Sequence, residues 1–248
     1  MTAQNLGAWL NDPDAVRDQY QSEAGLNARS SLYDKITGRA PADVAFEAVA
    51  EVQPWRFLEA GCGAGEFAAR VQRELGAQVI AVDQSERMVE LAVTAGVDAR
   101  VGDVQALPFA DGEFDCAAAN WMLYHVPELD RALAELARVL RRPGGRLVAV
   151  TNGRDHLIEI WRLVGAGALR ADRELTFSAG NGAVALGRHF RRVEVRDAGG
   201  TVVIHERAAI DRYIRSIETW AHLAEKLPAQ LERPLVATRA TSVFVATA

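Results

Sequence analysis

The chain has 248 residues, 49% hydrophobic and 25% charged, enough apolar mass for one full core or for one domain with a small appendage. That balance excludes a disordered, collagen-like or disulfide-stapled chain, and no uncharged apolar run approaches the roughly 20 residues that span a bilayer. The formal net charge of -5, with basic residues scattered along the chain, argues against a nucleic-acid partner.

The opening MTAQNLGAWLNDPD lacks the basic and apolar regions of a signal peptide, so a cytoplasmic location is expected. Through residue 50, Trp9, Leu10, Val16, Tyr20, Leu26, Leu32, Tyr33, Ile36, Val44, Phe46 and Val49 recur at helical spacing, broken by Pro13, Gly25, Gly38 and Pro41. Two or three short helices are predicted there. From residue 55 short apolar runs alternate with amphipathic stretches, the pattern of βαβ units around a mostly parallel sheet.

WRFLEAG predicts a first strand ending at Glu59, and EFAARVQREL a helix with Phe67, Val71 and Leu75 on one face. QVIAVD is a strand ending at Asp83, followed by a helix capped by Ser85 and closed by Gly96. DARVGDV gives a third strand ending near Asp103, and residues 114 to 120 a fourth. PELDRALAELARVL is a helix, and GGRLVAVTN a fifth strand. Beyond residue 153, RDHLIEIWRLVGAGAL reads as helical and ELTFSAGNGAVALG is ambiguous. FRRVEVRDAGGTVVIH reads as a strand, a Gly-Gly turn and an extended continuation. A helix over ERAAIDRYIRSIETWAHLAEKL and a closing strand TSVFVATA complete the chain.

Chemistry concentrates in FLEAGCGAGEFA, where a strand ends in an acid and runs through Gly61, Gly63 and Gly65 into a helix. Glycines there permit a tight turn and let a ligand approach the backbone. Gly63, Gly65 and Ala68 also satisfy G-x-G-x-x-A, with Asp83 at a plausible distance for a ribose, so a dinucleotide is a rival ligand. Glu59, two residues ahead of Gly61, would repel a pyrophosphate and attract an ammonium or sulfonium. Asp83 can accept from both ribose hydroxyls and Asp103 from an adenine amino group. Ligands of open α/β sheets bind beyond the carboxyl ends of the strands, so the three acids converge on one crevice. Cys62 reads as a small buried loop residue, without an activating base nearby in sequence. Cys62 and Cys116 stand in unrelated contexts, which predicts neither a disulfide nor a metal site.

EAGCGAG, VDQSERMVELA, GDVQALPFADGEFD, YHVPELDRALAELARVL and PGGRLVAVTN, taken in order over residues 55 to 152, resemble class I S-adenosylmethionine-dependent methyltransferases. The likeness is to their small-molecule group, which includes the ubiquinone and menaquinone C-methylases. Arg141 and Arg142 before Pro143 depart from the family's single basic residue, at a turn away from its cofactor.

The resemblance implies an α/β Rossmann-like, mostly parallel seven-stranded sheet of order 3-2-1-4-5-7-6 with helices on both faces, TSVFVATA being the antiparallel seventh strand. It implies an N-terminal helical lid over 1-50, a cofactor-binding core over 51-152 and an acceptor-pocket insertion with the completion of the same domain over 153-248. It puts the cofactor's methionine end against Glu59, Gly61, Cys62, Gly63 and Gly65, its ribose on Asp83, and its adenine among Gln84, Met88, Asp103 and Val104. Asn120 and Trp121 would pass beside the sulfonium, and Tyr20, Arg29 and Tyr33 would close from the lid, where core packing explains them equally.

His125, following strand four, is the candidate general base, with helix capping as the alternative. His156, Trp161, Tyr213, Trp220 and His222 fall in the acceptor region, although helix packing accounts for their spacing too. Arg191 and Arg192 read as a solvated strand edge.

The implied reaction moves a methyl group by in-line displacement to a small-molecule O, N or C nucleophile, in a monomer or homodimer without membrane attachment. A nicotinamide-dependent oxidoreductase and a protein that binds the donor without transferring its methyl are the alternatives. The preference for arginine, with only Lys35 and Lys226 as lysines among 28 basic residues, fits a bacterial coding sequence.

Overall fold

Strands whose residues are apolar on both faces belong inside a parallel sheet covered by helices on each side. Phe57, Leu58, Ala60, Val79, Ala81 and Ala117 to Ala119 meet that condition, all being buried. In the computed structural model, which describes residues 32, 36–171 and 175–248, they form the centre of a seven-stranded sheet. Its strands are β1 (Arg56–Ala60), β2 (Gln78–Asp83), β3 (Asp98–Val101), β4 (Cys116–Asn120), β5 (Arg146–Asn152), β6 (Arg192–Asp197) and, last in the chain, β9 (Thr241–Thr247). The order is β3-β2-β1-β4-β5-β9-β6, with β9 antiparallel to both of its neighbours, which is the expected topology with the closing strand inserted beside β5.

Side-chain alternation divides the core in two. One cluster takes Phe57, Val79, Ala81, Val148 and Val150 against helices α1 (Pro41–Ala50), α2 (Glu66–Leu75) and α3 (Glu86–Thr94). The other takes Leu58, Ala60, Leu147, Ala149 and Phe244 against α4 (Leu129–Val139). Local chemistry sets the helix ends. Pro41 occupies the first turn of α1, where its missing N–H costs nothing. The Ser85 hydroxyl accepts from Met88 N–H at 3.3 Å and caps α3, as its spacing predicts.

After β5 come the short helices α5 (Ile158–Leu163), α6 (Gly167–Ala171) and α7 (Gly182–Leu186), the last resolving the ambiguous segment as helix and packing beneath β6 and β9. One expectation is completed and one is corrected. The extended continuation after Gly199-Gly200 leaves the main sheet: β7 (Gly200–Ile204) pairs with β8 (Leu235–Arg239), a strand not anticipated, in a separate two-stranded sheet. The helix predicted over 206 to 227 is α8 (Arg207–Arg215) followed by a 3-10 segment, Glu218–Lys226. These elements enclose a third core, where Trp161 and Trp220 meet edge-to-face with centroids 4.5 Å apart.

No helix among the described residues is long and apolar enough to cross a membrane. Tyr20, Arg29 and Tyr33, with the rest of the expected lid before residue 36 apart from Leu32, lie outside the described residues.

Candidate functional site

Six of the seven strands run parallel, and a cavity of about 1060 Å³ opens above the carboxyl ends of β1 to β5. Glu59 and Asp83 come from the ends of β1 and β2, Asn120 and Asn152 from those of β4 and β5.

The loop after β1 is folded by its own backbone. Gly61 N–H donates to Val82 carbonyl at 2.8 Å, and Gly65 N–H to Cys62 carbonyl at 3.0 Å. Gly61, Gly63 and Gly65 all have positive φ, between 53° and 82°. Their surroundings differ. A Cβ on Gly65 would lie 2.8 Å from Ala92 Cβ, so this glycine lets the loop pack on α3, whereas a Cβ on Gly63 would meet nothing within 4 Å. Gly63 is therefore the position where the bare backbone faces the cavity.

Glu59 is 2% exposed. Its Oε1 accepts from Asn120 Nδ2 at 3.2 Å, and the Ala68 N–H of α2 also favours its ionised form, while Glu59 Oε2 and Asn120 Oδ1 are buried without a well-formed hydrogen bond among the described residues. Burial, with the neighbouring Asp83 charge adding to it, pushes the Glu59 carboxyl up to about 8. Asp83 is oriented by Gly63 N–H on Oδ2 at 2.9 Å and Ser85 N–H on Oδ1 at 3.0 Å, and burial raises its pKa as well. Two buried acceptors beside a second carboxylate complement a ligand that brings donors and positive charge. They do not suit a diphosphate, which brings acceptors and negative charge. The site thus fits the methionine end of S-adenosylmethionine.

Gln84, Asp103 and Val104 also line the cavity. Asp103 lies two residues beyond the end of β3, in an exposed turn where its Oδ1 accepts from Gln105 N–H at 2.8 Å. Met88, expected at the adenine, is 1% exposed and not among the lining residues, and neither is Gly65. Cys62 is buried in the lining, and its thiol pKa is raised far above the ordinary range by that burial and by Glu59. Trp121 has a φ of 53°, and its indole N–H donates to Asn152 Oδ1 at 3.2 Å.

His125 ends a 3-10 turn, Leu123–His125, and faces the cavity with its ring centroid 4.5 Å from that of Tyr124. His156 and Tyr213 also line the cavity, whereas Trp161 and Trp220 belong to the third core. Asn152, Arg239, Thr241, Met122 and Ile36 line the cavity too and were not singled out in the sequence. Asn152 was within reach of the strand-tip rule that selected Asp83. Arg239 and Ile36 carry no such signal.

Residues 58–149 match a family model described as a methyltransferase domain. Over that segment the chain is similar to methyltransferases, the ubiquinone/menaquinone biosynthesis C-methyltransferase of Dinoroseobacter shibae among them, at 38% identity over 104 residues, 38% of this chain and 41% of that one. It is 36% identical over 142 residues to a malonyl-[acyl-carrier protein] O-methyltransferase of Pseudescherichia vulneris, covering 55% of each chain. To the 27-O-demethylrifamycin SV methyltransferase of Amycolatopsis mediterranei it is 31% identical over 189 residues, 73% of this chain and 65% of that one. The chain spans 28% of one curated relative and about half of two others. Among solved structures, the [4+2]-cyclase SpnF aligns with a TM-score of 0.62 at 19% identity, over 94% of this chain and 95% of that one, a likeness of fold.

Proposed function

We propose that this chain transfers a methyl group from S-adenosylmethionine to a small-molecule acceptor, releasing S-adenosylhomocysteine. The observation that carries this reading is the pair of buried acceptors, Glu59 Oε2 and Asn120 Oδ1, which line the cavity without a well-formed hydrogen bond among the described residues.

In this reading Glu59 and Asn120 hold the donor's ammonium, the open backbone at Gly63 admits its methionine end, and Asp83 accepts from the ribose hydroxyls. Asp103 and the backbone of Val104 read the base edge, and Gln84 lies against it. Bound S-adenosylmethionine supplies an electrophilic methyl on a sulfonium, so the protein's task is alignment in a water-poor site. Trp121 walls the donor half from the acceptor half and sets the in-line approach. For a hydroxyl nucleophile His125 takes the proton, whereas an amine or carbanion needs no such base. Of the expected lid over 1-50, α1 covers the sheet and the part before it serves as the lid, while residues 153-248 shape the acceptor pocket and complete the same domain.

Calorimetry tests the binding half of the proposal. S-adenosylhomocysteine should bind and reduced nicotinamide dinucleotide should not, and the reverse result would return the oxidoreductase reading. Incubation with labelled donor and a metabolite panel then separates methyl transfer from donor binding without transfer.

A further inference from the structure

The end of β5 carries a polar group that the donor site does not use. The β5–β9 register sets Asn152 opposite Thr241. Asn152 Oδ1 accepts two hydrogen bonds, from Trp121 Nε1 at 3.2 Å and from Thr241 Oγ1 at 2.9 Å. An indole N–H can only donate, so the amide atom it meets must be the oxygen, and the orientation of the Asn152 amide is fixed. Its Nδ2 therefore turns away from both donors, and among the described residues it donates to nothing.

Asn152 is half-buried and lines the cavity one strand beyond Asn120. Trp121 and Thr241 bond to it directly, and His156 and Tyr213 line the same cavity, while the described carboxylates of the cavity, Glu59, Glu66, Asp83 and Asp103, all come from the β1–β3 half. The cavity is divided in charge: acids gather where the donor's cation belongs, and next to Trp121 the wall offers hydrogen-bond donors. An ammonium there would find no described counter-charge, whereas an oxygen acceptor would find an oriented N–H pair.

We propose that Asn152 is the specificity-determining residue for the methyl acceptor, its Nδ2 donating to an acceptor oxygen. The acceptor then belongs to the class of phenols, enols or carboxylic acids and not to simple amines. This rests on the methyltransferase reading. Asn152→Asp is the informative variant, because it keeps an oxygen for Trp121 and Thr241 while replacing the outward donor with an acceptor.

The test uses the full ¹⁵N-labelled chain saturated with S-adenosylhomocysteine, its binding first verified by calorimetry. The Asn152 side-chain amide signals are assigned by their loss in Asn152→Asp, and phenol, benzoate and benzylamine are titrated in turn. The Asn152 signals should shift with phenol or benzoate and not with benzylamine, and Asn152→Asp should weaken the responding oxygen probe by about tenfold or more while retaining S-adenosylhomocysteine. Silence toward both oxygen probes, or an equal response to benzylamine, overturns the assignment of Asn152 alone. Failure of S-adenosylhomocysteine to bind the native chain overturns the donor site as well.

Discussion

The backbone N–H of Gly63 donates to Asp83 Oδ2 over 2.9 Å, so the carboxylate at the tip of β2 holds the glycine loop of β1 in shape. Its other oxygen takes Ser85 N–H at 3.0 Å. Asp83 is thus a scaffold for the loop and a candidate ribose ligand at once. Asp83→Ala should lose both roles, lowering S-adenosylhomocysteine affinity by about a hundredfold and melting temperature by a few degrees. Calorimetry and thermal unfolding measure the two effects. Loss of affinity with undiminished stability would show that the loop does not depend on Asp83.

Glu59 predicts a proton release. Raised from an ordinary 4.5 to about 8 by burial and then by Asp83, it holds its proton at neutral pH in the ligand-free protein. A cationic ammonium against Oε2 would favour ionisation, so at pH 6.5 binding of S-adenosylhomocysteine should release close to one proton. Comparing binding enthalpies in buffers of different ionisation heat measures that number, and Glu59→Gln should reduce it to near zero with weaker binding.

The same shift has a sign for folding. The folded chain holds this proton more tightly than the unfolded one, so the Glu59 contribution to stability is most favourable below about 4.5, declines as pH rises toward 8 and is level above that. Ligand-free Glu59→Gln should therefore gain stability over the native chain as pH rises across this interval. Denaturant unfolding at pH 5 and pH 8.5 checks it, and a constant difference would count against the shift.

The glycines separate fold from site. Gly65→Ala drives a methyl into Ala92 of α3, so it should destabilise the protein by about 2 kcal/mol or more. Gly63→Ala meets open space and bears only the cost of its φ of 53°, about 1 kcal/mol, while intruding on the donor's methionine end. Thermal unfolding should rank Gly65→Ala as the less stable variant. Gly63→Ala should show the larger loss of affinity per unit of stability lost.

His125→Gln tests the base. With a hydroxyl acceptor, kcat should fall by about a hundredfold or more, with S-adenosylhomocysteine affinity unchanged within about twofold. An unchanged kcat would leave His125 as a wall of the cavity.

The parallel half of the sheet was legible because each βα unit carries its signal locally. In α2, Phe67, Val71 and Leu75 mark one face; Ser85 marks the start of α3, and Glu59 and Asp83 mark strand tips. The second sheet was not legible, because what makes it is distant in sequence. β7 pairs with β8 more than thirty residues away in the chain, both strands contribute to the third core, and Thr37 N–H joins β7 by donating to Thr201 carbonyl at 2.9 Å. Arg239 looks like a surface residue in LVATR, yet it is 2% exposed and its Nη2 donates to the carbonyls of Thr37, Arg39 and Gly199. Met88 shows the opposite error. Its place in α3 suits an adenine contact, but the amphipathic turn of the helix carries the side chain into the interior.

The most direct test of the donor site is calorimetric titration of the native chain and Glu59→Gln with S-adenosylhomocysteine at pH 6.5. The account predicts tight binding with a proton released by the native chain, and weak binding without release by the variant. Equal affinity in the two proteins, or binding by the native chain without proton release, would contradict it.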